Sequence, residues 1–365
     1  MREEGCVKLG SRSKHLELIV SSGIVLAFLM STNVSAASTG TWIQGVPWYQ
    51  QSNDWMCGPA SLQMIFAYWG PYIDQREIGF AADCIPSYTG TNSSGMVRGG
   101  HFSDLSVIDV SNCKIVGYTG RGLGYAAFRY ISDVFWLDGL KALIDQGYPI
   151  AVASYWGYET SGNSDTIPAS TPIGHYRVVV GYDDKTREVI INDPWARDFK
   201  HQGDFQGTNS PRPGYDPDFK GIRFSYDYFQ QLWSYNYTRP YTGIFVAPWF
   251  VHIDTTVNGV KAKIVASVNY PCPAPFDANQ YPSTGTTVTI SLPSGITLAK
   301  GESAVKSLGT LSASRTVQVS WDVTAPAGTY TISVTAQGLV SDSFAGHPCT
   351  DRIGGQGSAL ITIAR

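Results

Sequence analysis

The sequence predicts an α+β domain followed by an all-β sandwich domain, after a short N-terminal segment. Before Pro248, apolar residues recur both at helical spacing and in short strand-like runs. From Trp249 onward, short alternating strands are separated by turn signals, and no helix pattern appears up to Arg365. The second pattern is typical of an antiparallel, Ig-like β-sandwich. We therefore predict domains at residues 37–248 and 249–365, with the boundary near Pro248.

The N-terminal segment, residues 1–36, has the pattern of a secretory signal peptide. Arg12 and Lys14 precede an apolar run from Leu18 to Met30. Val34-Ser35-Ala36 then supplies the small residues of a cleavage site. An uncleaved membrane anchor is the alternative, although the run is short for a membrane span. We expect a secreted or cell-surface protein.

Composition argues against two classes of partner. The 365-residue chain has a net charge of −3 and shows no basic stripe, so a nucleic-acid partner is not expected. A metal site is not expected either, because the histidines that follow the signal peptide and lie outside the candidate site described below are scattered without ligand spacing. These residues are His101, His201, His252 and His347. We predict no metal and no cofactor.

The cysteines of the exported chain indicate one free thiol. Removal of the signal peptide leaves five cysteines, and an odd count in an exported protein indicates one unpaired cysteine. Proximity in the sequence favours one disulfide between Cys84 and Cys113 and another between Cys272 and Cys349. Cys57 is then the free cysteine.

The stretch Gln51–Gly70 predicts a buried helix that begins at this cysteine. Leu62, Ile65 and Phe66 fall at helical spacing, and Gly70 is a stop signal. The proline of the Cys-Gly-Pro-Ala turn suits the first helical turn, where its missing N–H costs nothing. Cys57 would therefore lie at a helix N-terminus, where free N–H groups and the helix dipole favour a thiolate. Simple packing of a buried cysteine is the alternative.

Further elements follow in chain order. A loop-rich stretch with one or two short helices is expected from Thr89 to Gly124. A helix is predicted around Trp136–Gln146, a buried strand at Pro149–Tyr155, a helix near Ser225–Trp233 and a strand near Thr242–Val246.

A hairpin brings a histidine and a carboxylate together. The strand Arg177–Tyr182 follows His175, and its partner Glu188–Asn192 ends at Asp193. In an antiparallel hairpin, the start of one strand lies beside the end of the other. We therefore expect His175 and Asp193 to be neighbours at one end of the sheet.

A thiol, a histidine and an acid are the parts of a nucleophilic cysteine site. In such a site the histidine takes the thiol proton, and the carboxylate orients the imidazole. Gln51 precedes Cys57 by six residues, so its amide could stabilise an oxyanion beside the Cys57 N–H. Each residue also has an ordinary reading: His175 as a core histidine, Asp193 as a turn former and Gln51 as a surface residue.

Three segments carry a family resemblance: VPWYQQSNDWMCGPASLQMIFAYWG, GHYRVVVGYDD and VIINDPW. They resemble the papain-like cysteine peptidases of the double-glycine (bacteriocin-processing) branch, especially secreted relatives without a transporter. The resemblance covers roughly residues 42–248. It implies that Cys57 is the nucleophile, His175 the base, Asp193 the orienting acid and Gln51 the oxyanion donor.

The resemblance leads to a prediction of fold and function. The expected fold is a papain-like cysteine peptidase domain of the α+β class followed by an all-β Ig-like sandwich. The expected function is hydrolysis of a peptide or protein substrate, with contact to a cell surface or polymer through the sandwich. Another acyl transfer (an amidase or transpeptidase) and a non-catalytic binding protein are the alternatives. Double-glycine leader cleavage is not carried over, because no segment resembles the transporter to which those peptidases are fused.

Overall fold

The computed structural model describes residues 39–53, 55–82, 90–108, 122–155, 174–195, 220–234, 240–344 and 347–364. The predicted signal peptide, Cys84 and Cys113 lie outside these residues. Within them, no helix is long and apolar enough to cross a membrane. The described helices are α1 (Cys57–Trp69), α2 (Gln75–Ala81), α3 (Ser93–His101), α4 (Asp104–Ile108), α5 (Leu137–Asp145) and α6 (Tyr226–Ser234).

The described strands form three antiparallel sheets. The strands of the first half are β1 (Gly40–Trp42), β2 (Ala126–Tyr130), β3 (Ile150–Tyr155), β4 (Gly174–Asp183), β5 (Glu188–Asn192), β6 (Lys220–Ser225) and β7 (Thr242–Ala247). They form one sheet in the order β2-β7-β3-β4-β5-β6, with β1 paired to β4. Every pairing in this sheet is antiparallel.

The second half contains only strands among its described residues, as predicted. They are β8 (Phe250–Asn258), β9 (Lys261–Asn269), β10 (Ser283–Ser291), β11 (Thr297–Leu298), β12 (Val305–Leu311), β13 (Thr316–Thr324), β14 (Gly328–Phe344) and β15 (His347–Ile363). Two four-stranded sheets result, in the orders β12-β10-β14-β15 and β11-β13-β9-β8. Buried residues alternate with more exposed ones along β9 and β10, as expected for sheets with one buried face. The Ig-like assignment stays a prediction.

Helix α1 forms as predicted, from Cys57 to Trp69, and ends at Gly70. Gly70 has φ of +118°, a conformation that suits glycine and stops the helix. The first ten residues of α1 are all buried, so this helix is covered on every side rather than on one face. Such a helix holds its N-terminal residue in a fixed place.

The predicted hairpin forms from β4 and β5. Val178 pairs with Asn192, and Val179 pairs with Ile191. The side chains along both strands are almost all buried, because α1 and α5 pack on this sheet. The beginning of β4 and the end of β5 therefore meet at one buried end of the sheet.

Aromatic side chains join the two halves of the chain. Phe128 of β2 is fully buried, and its ring centroid lies 5.5 Å from that of Tyr270 and 5.8 Å from that of Tyr281. Phe276 packs in the same way against Tyr130, with 6.3 Å between the ring centroids. The hydrophobic core thus continues from the first half into the second.

Polar contacts cross the same junction. His101 Nδ1 lies 3.0 Å from the Asp351 carboxylate, and both side chains are buried. The N–H of Gly354 donates to the carbonyl of Gly124 at 2.8 Å. Residues Thr39–Arg365 accordingly form one compact unit. The domain boundary near Pro248, which falls between β7 and β8, stays a prediction.

The disulfide predicted between Cys272 and Cys349 is wrong. The Cys272 thiol is free and buried. Cys272 follows β9, which belongs to one sheet, whereas Cys349 lies on β15 in the other. The two cysteines precede and follow most of the sandwich strands in the sequence, but this order does not bring their thiols within bonding distance. Burial raises the pKa of Cys272 to about 12, so this group stays protonated.

Candidate active site

Cys57 is the first residue of α1 and is a free, buried thiol. Its backbone N–H has no acceptor within the helix, as for every residue of a first helical turn. Next to it, a Cβ at Gly58 would lie 2.7 Å from Sδ of Met96 on α3. The side chain of Met96 would have to move to accommodate a larger residue, so α1 and α3 pack closely at this position.

His175 and Asp193 are brought together as the hairpin predicts. His175 Nε2 donates to Asp193 Oδ1 at 2.7 Å, and both side chains are buried. The Cys57 thiol is also a hydrogen-bond partner of His175. Since Asp193 occupies Nε2, Nδ1 is the ring nitrogen that is left for the thiol. The three side chains form a chain from thiol to imidazole to carboxylate.

Arg177 is a fourth residue of the site, and its role was not predicted from the sequence. Its Nε donates to Asp193 Oδ2 at 2.6 Å, and the side chain is almost completely buried. The same guanidinium donates to Ser154 Oγ and, at 2.8 Å, to the carbonyl of Tyr155. The sequence signal for this residue is a charge inside an apolar strand. Residues i and i+2 of a strand share a face, so Arg177 lies beside His175.

These charges set the protonation of the site. Burial by itself would raise the pKa of Asp193, but Arg177 and His175 outweigh it and hold that pKa well below its usual range. Burial alone would lower the pKa of His175. The charge of Asp193 and the hydrogen bonds with Asp193 and Cys57 together outweigh burial and raise this pKa, while the charge of Arg177 opposes the rise. Asp193 is therefore ionised, and its charge stabilises the imidazolium that His175 becomes once it has taken the thiol proton.

Gln51 lies at the N-terminus of α1. Its Nε2 donates to the carbonyl of Asn53 at 2.7 Å, and the same carbonyl accepts from the N–H of Met56. Met56 is the residue before Cys57, so the Gln51 amide lies close to the start of the helix. The backbone N–H of Gln51 donates to the carbonyl of Pro194 at 2.8 Å. This bond connects the Gln51 segment to the Asp193 loop, the residues 193–195 that follow β5. One hydrogen of Nε2 remains for another acceptor.

Neighbouring side chains hold the Asp193 loop in place. Trp48 Nε1 donates to the carbonyl of Asp193. The backbone N–H of Trp195 donates to Asp193 Oδ1 at 2.9 Å, and its indole ring packs edge-on against His175. The amide of Asn192 reaches back to the carbonyl of Pro47 at 3.3 Å. Both the acid and the base therefore have fixed orientations.

Across the described ranges, no group of three or more histidine, cysteine, aspartate or glutamate side chains is close enough to hold an ion. The arrangement of Cys57, His175 and Asp193 instead suits transfer of the thiol proton to a histidine whose position is fixed by a buried carboxylate.

Comparison with known proteins gives one family match. Residues 43–208 match the model of the Peptidase_C39 like family. This segment includes Cys57, His175, Asp193 and Gln51. A search of curated protein sequences found no match. Over this segment the chain is therefore similar to a family of peptidases.

Solved structures give more distant likenesses. The peptidase domain of Streptococcus ComA, a bi-functional ABC transporter involved in a quorum sensing pathway, is 20% identical; the match covers 55% of this chain and 98% of that chain, with a TM-score of 0.33. Xylellain, a cysteine protease from Xylella fastidiosa, is 13% identical, with 58% and 86% covered and a TM-score of 0.37. At these TM-scores, the functional assignment depends on the family match and on the site.

Proposed function

We propose that the chain is a cysteine peptidase in which Cys57 is the nucleophile, His175 the base and Asp193 the orienting acid. One observation carries the proposal: a free thiol at a helix N-terminus is hydrogen-bonded to a histidine whose far nitrogen is 2.7 Å from a buried carboxylate. Asp193 occupies Nε2 of His175, so Nδ1 is the nitrogen that takes the proton. The match to a peptidase family over the same segment supports this function.

The first half of the proposed reaction forms an acyl-enzyme. The Cys57 proton moves to His175 Nδ1, and the thiolate attacks the carbonyl carbon of the peptide bond. The carbonyl electrons form an oxyanion, which accepts from the Cys57 N–H and from the remaining Nε2 hydrogen of Gln51. As the carbonyl re-forms, the C–N bond breaks, and the imidazolium gives its proton to the leaving amine.

The second half releases the acyl group. His175 now takes a proton from water, and the resulting hydroxide attacks the thioester carbon. The C–S bond breaks with the Cys57 thiolate as leaving group, the imidazolium returns its proton to that thiolate, and a carboxylic acid is released. The negative charge of Asp193 stabilises the imidazolium that forms in each half. An amine in place of water would give a transpeptidase by the same steps.

The proposal extends to where the protein acts. The signal-peptide pattern at residues 1–36 supports export, and a peptide or protein outside the cytoplasm is then the substrate. Contact with a surface or polymer is assigned to the residues after Trp249, where none of the proposed site residues lies.

The test is cleavage of a peptide library by the exported protein and by Cys57→Ala. Cys272→Ala is the matched control, because it removes a buried free thiol outside the site. Hydrolysis by wild type and by Cys272→Ala but not by Cys57→Ala supports the proposal. Equal cleavage by all three proteins, or none by any, contradicts it. Products joined to an added amine would favour the transpeptidase.

A further inference from the structure

Gln75, the first residue of α2, binds both neighbours of Gln51. Its Nε2 donates to the carbonyl of Gln50 at 2.7 Å, and its Oε1 accepts from the N–H of Ser52 at 2.9 Å. The side chain of Gln75 is only 1% exposed. Two backbone contacts therefore hold the peptide groups on either side of the residue that carries the oxyanion donor.

The same amide connects this segment to the helix of the nucleophile. Nε2 of Gln75 also donates to Oε1 of Gln63 at 2.8 Å. Gln63 is fully buried on α1, the helix that begins with Cys57. Its own Nε2 donates to the carbonyl of Ile73 at 2.8 Å, which fixes the orientation of the Gln63 amide. The contacts thus run from α1 through Gln63 and Gln75 to the Gln51 segment.

A primary amide is the group that fits at position 75. The three contacts need one acceptor and two donors, and the glutamine side chain supplies both donors on one nitrogen. Rotating the amide by half a turn would set Oε1 against the oxygens of Gln50 and Gln63. The network therefore settles the orientation of Gln75, and every one of its amide hydrogens is used.

We propose that Gln75 is a positioning residue that sets the distance between the Gln51 amide and Cys57. This inference depends on the proposed peptidase function. Oxyanion donors work when they are held within about 0.5 Å of the productive geometry, so a shift of the Gln51 segment reduces the rate without removing any reacting group. Gln75 acts through Gln51 and does not contact the reacting atoms.

The test is a double-mutant cycle between Gln75→Met and Gln51→Ala, with kcat and KM measured for a peptide substrate. Loss of one oxyanion donor in Gln51→Ala should lower kcat by about 10²–10³-fold. Gln75→Met should lower kcat by a smaller factor, about 10–100-fold, with little change in KM. In the double variant, kcat should equal that of Gln51→Ala, because Gln75 then has no donor to position.

A second readout separates positioning from a general loss of structure. Alkylation of Cys57 by iodoacetamide develops no oxyanion, so its rate in Gln75→Met should equal the wild-type rate. Tyr270→Phe is the control, because it removes one buried hydrogen bond far from Gln75 in the sequence, to the carbonyl of Tyr281. It should leave kcat unchanged. If Gln75→Met does not fold, Gln75→Glu replaces it, since this change keeps the size and removes the donors.

Two results would overturn the inference. One is a wild-type kcat in Gln75→Met and Gln75→Glu, and the other is a double variant in which the two losses multiply. Either result leaves the peptidase function standing if Cys57→Ala is inactive. A wild-type protein that is no more active than Cys57→Ala overturns both proposals.

Discussion

The substitution Asp193→Asn changes the acid of the site while keeping its size. The carboxylate accepts from His175 Nε2 at 2.7 Å and from Arg177 Nε at 2.6 Å on its other oxygen. Asparagine has one acceptor oxygen, so its NH₂ must face one of these two donors. Facing His175, it moves the ring proton to Nδ1, the atom that has to accept the thiol proton. Facing Arg177, it opposes a buried guanidinium with another donor.

Both the rate and the stability should fall. The 2.7 Å contact puts the two charge centres about 4 Å apart, where attraction is about 4 kcal/mol at an effective dielectric constant of about 20. Losing that stabilisation of the imidazolium lowers kcat by about 10³-fold, at about 1.4 kcal/mol for each factor of ten. Breaking the buried pair between Asp193 and Arg177 should lower the free energy of unfolding by about 3–5 kcal/mol.

The measurements are kcat on a cleaved peptide and urea unfolding, both near neutral pH. Asp183→Asn is the control, because Asp183 lies at the other end of β4, in a partly exposed pair with Arg223. It should keep the wild-type kcat. A wild-type kcat together with wild-type stability in Asp193→Asn would refute the role given to this carboxylate.

The low pKa of Asp193 makes stability depend on pH, because this pKa is lower in the folded protein than in the unfolded chain. The stabilisation is present above the unfolded value of about 4 and is lost as the pH falls toward the folded value. Urea titrations over this range should show the loss in wild type and a smaller one in Asp193→Asn. Phe128→Ala, at the junction with Tyr270 and Tyr281, should lower the free energy of unfolding by about 3–5 kcal/mol. In both wild type and Phe128→Ala, fluorescence and circular dichroism should report the same single unfolding transition. Two separate transitions would contradict a core shared by the two halves. Cys272, buried and with a pKa raised to about 12, should react with iodoacetamide only after denaturation; fast reaction in the native protein would show that its burial is wrong.

Local patterns in the sequence predict the elements that carry the site. Helix α1 begins at Cys57 and stops at Gly70 because glycine adopts the positive φ required there. Strand β5 ends at Asn192 as expected, so the hairpin places Asp193 beside His175. These features depend on neighbours in the chain or on one tight turn, which periodicity and turn residues specify.

Features that depend on distant contacts were not predicted. Gln75 acts on a segment that the fold brings to it, and a lone polar residue in an apolar run does not reveal its partner. The junction between the halves pairs His101 with Asp351, 250 residues further along. Alternating strands indicate that a face is buried but not what covers it. The bridge assigned to Cys272 failed for the same reason, since closeness in sequence does not fix a distance in space.

The measurement that tests the central claim most directly is the rate of Cys57 alkylation against pH in wild type and in His175→Ala. The thiolate is the form of cysteine that reacts, so a histidine that takes the thiol proton should speed the alkylation of Cys57. We expect wild type to react much faster than His175→Ala near neutral pH, and the two rates to converge in alkaline solution. Equal rates at every pH would contradict an activated nucleophile at Cys57.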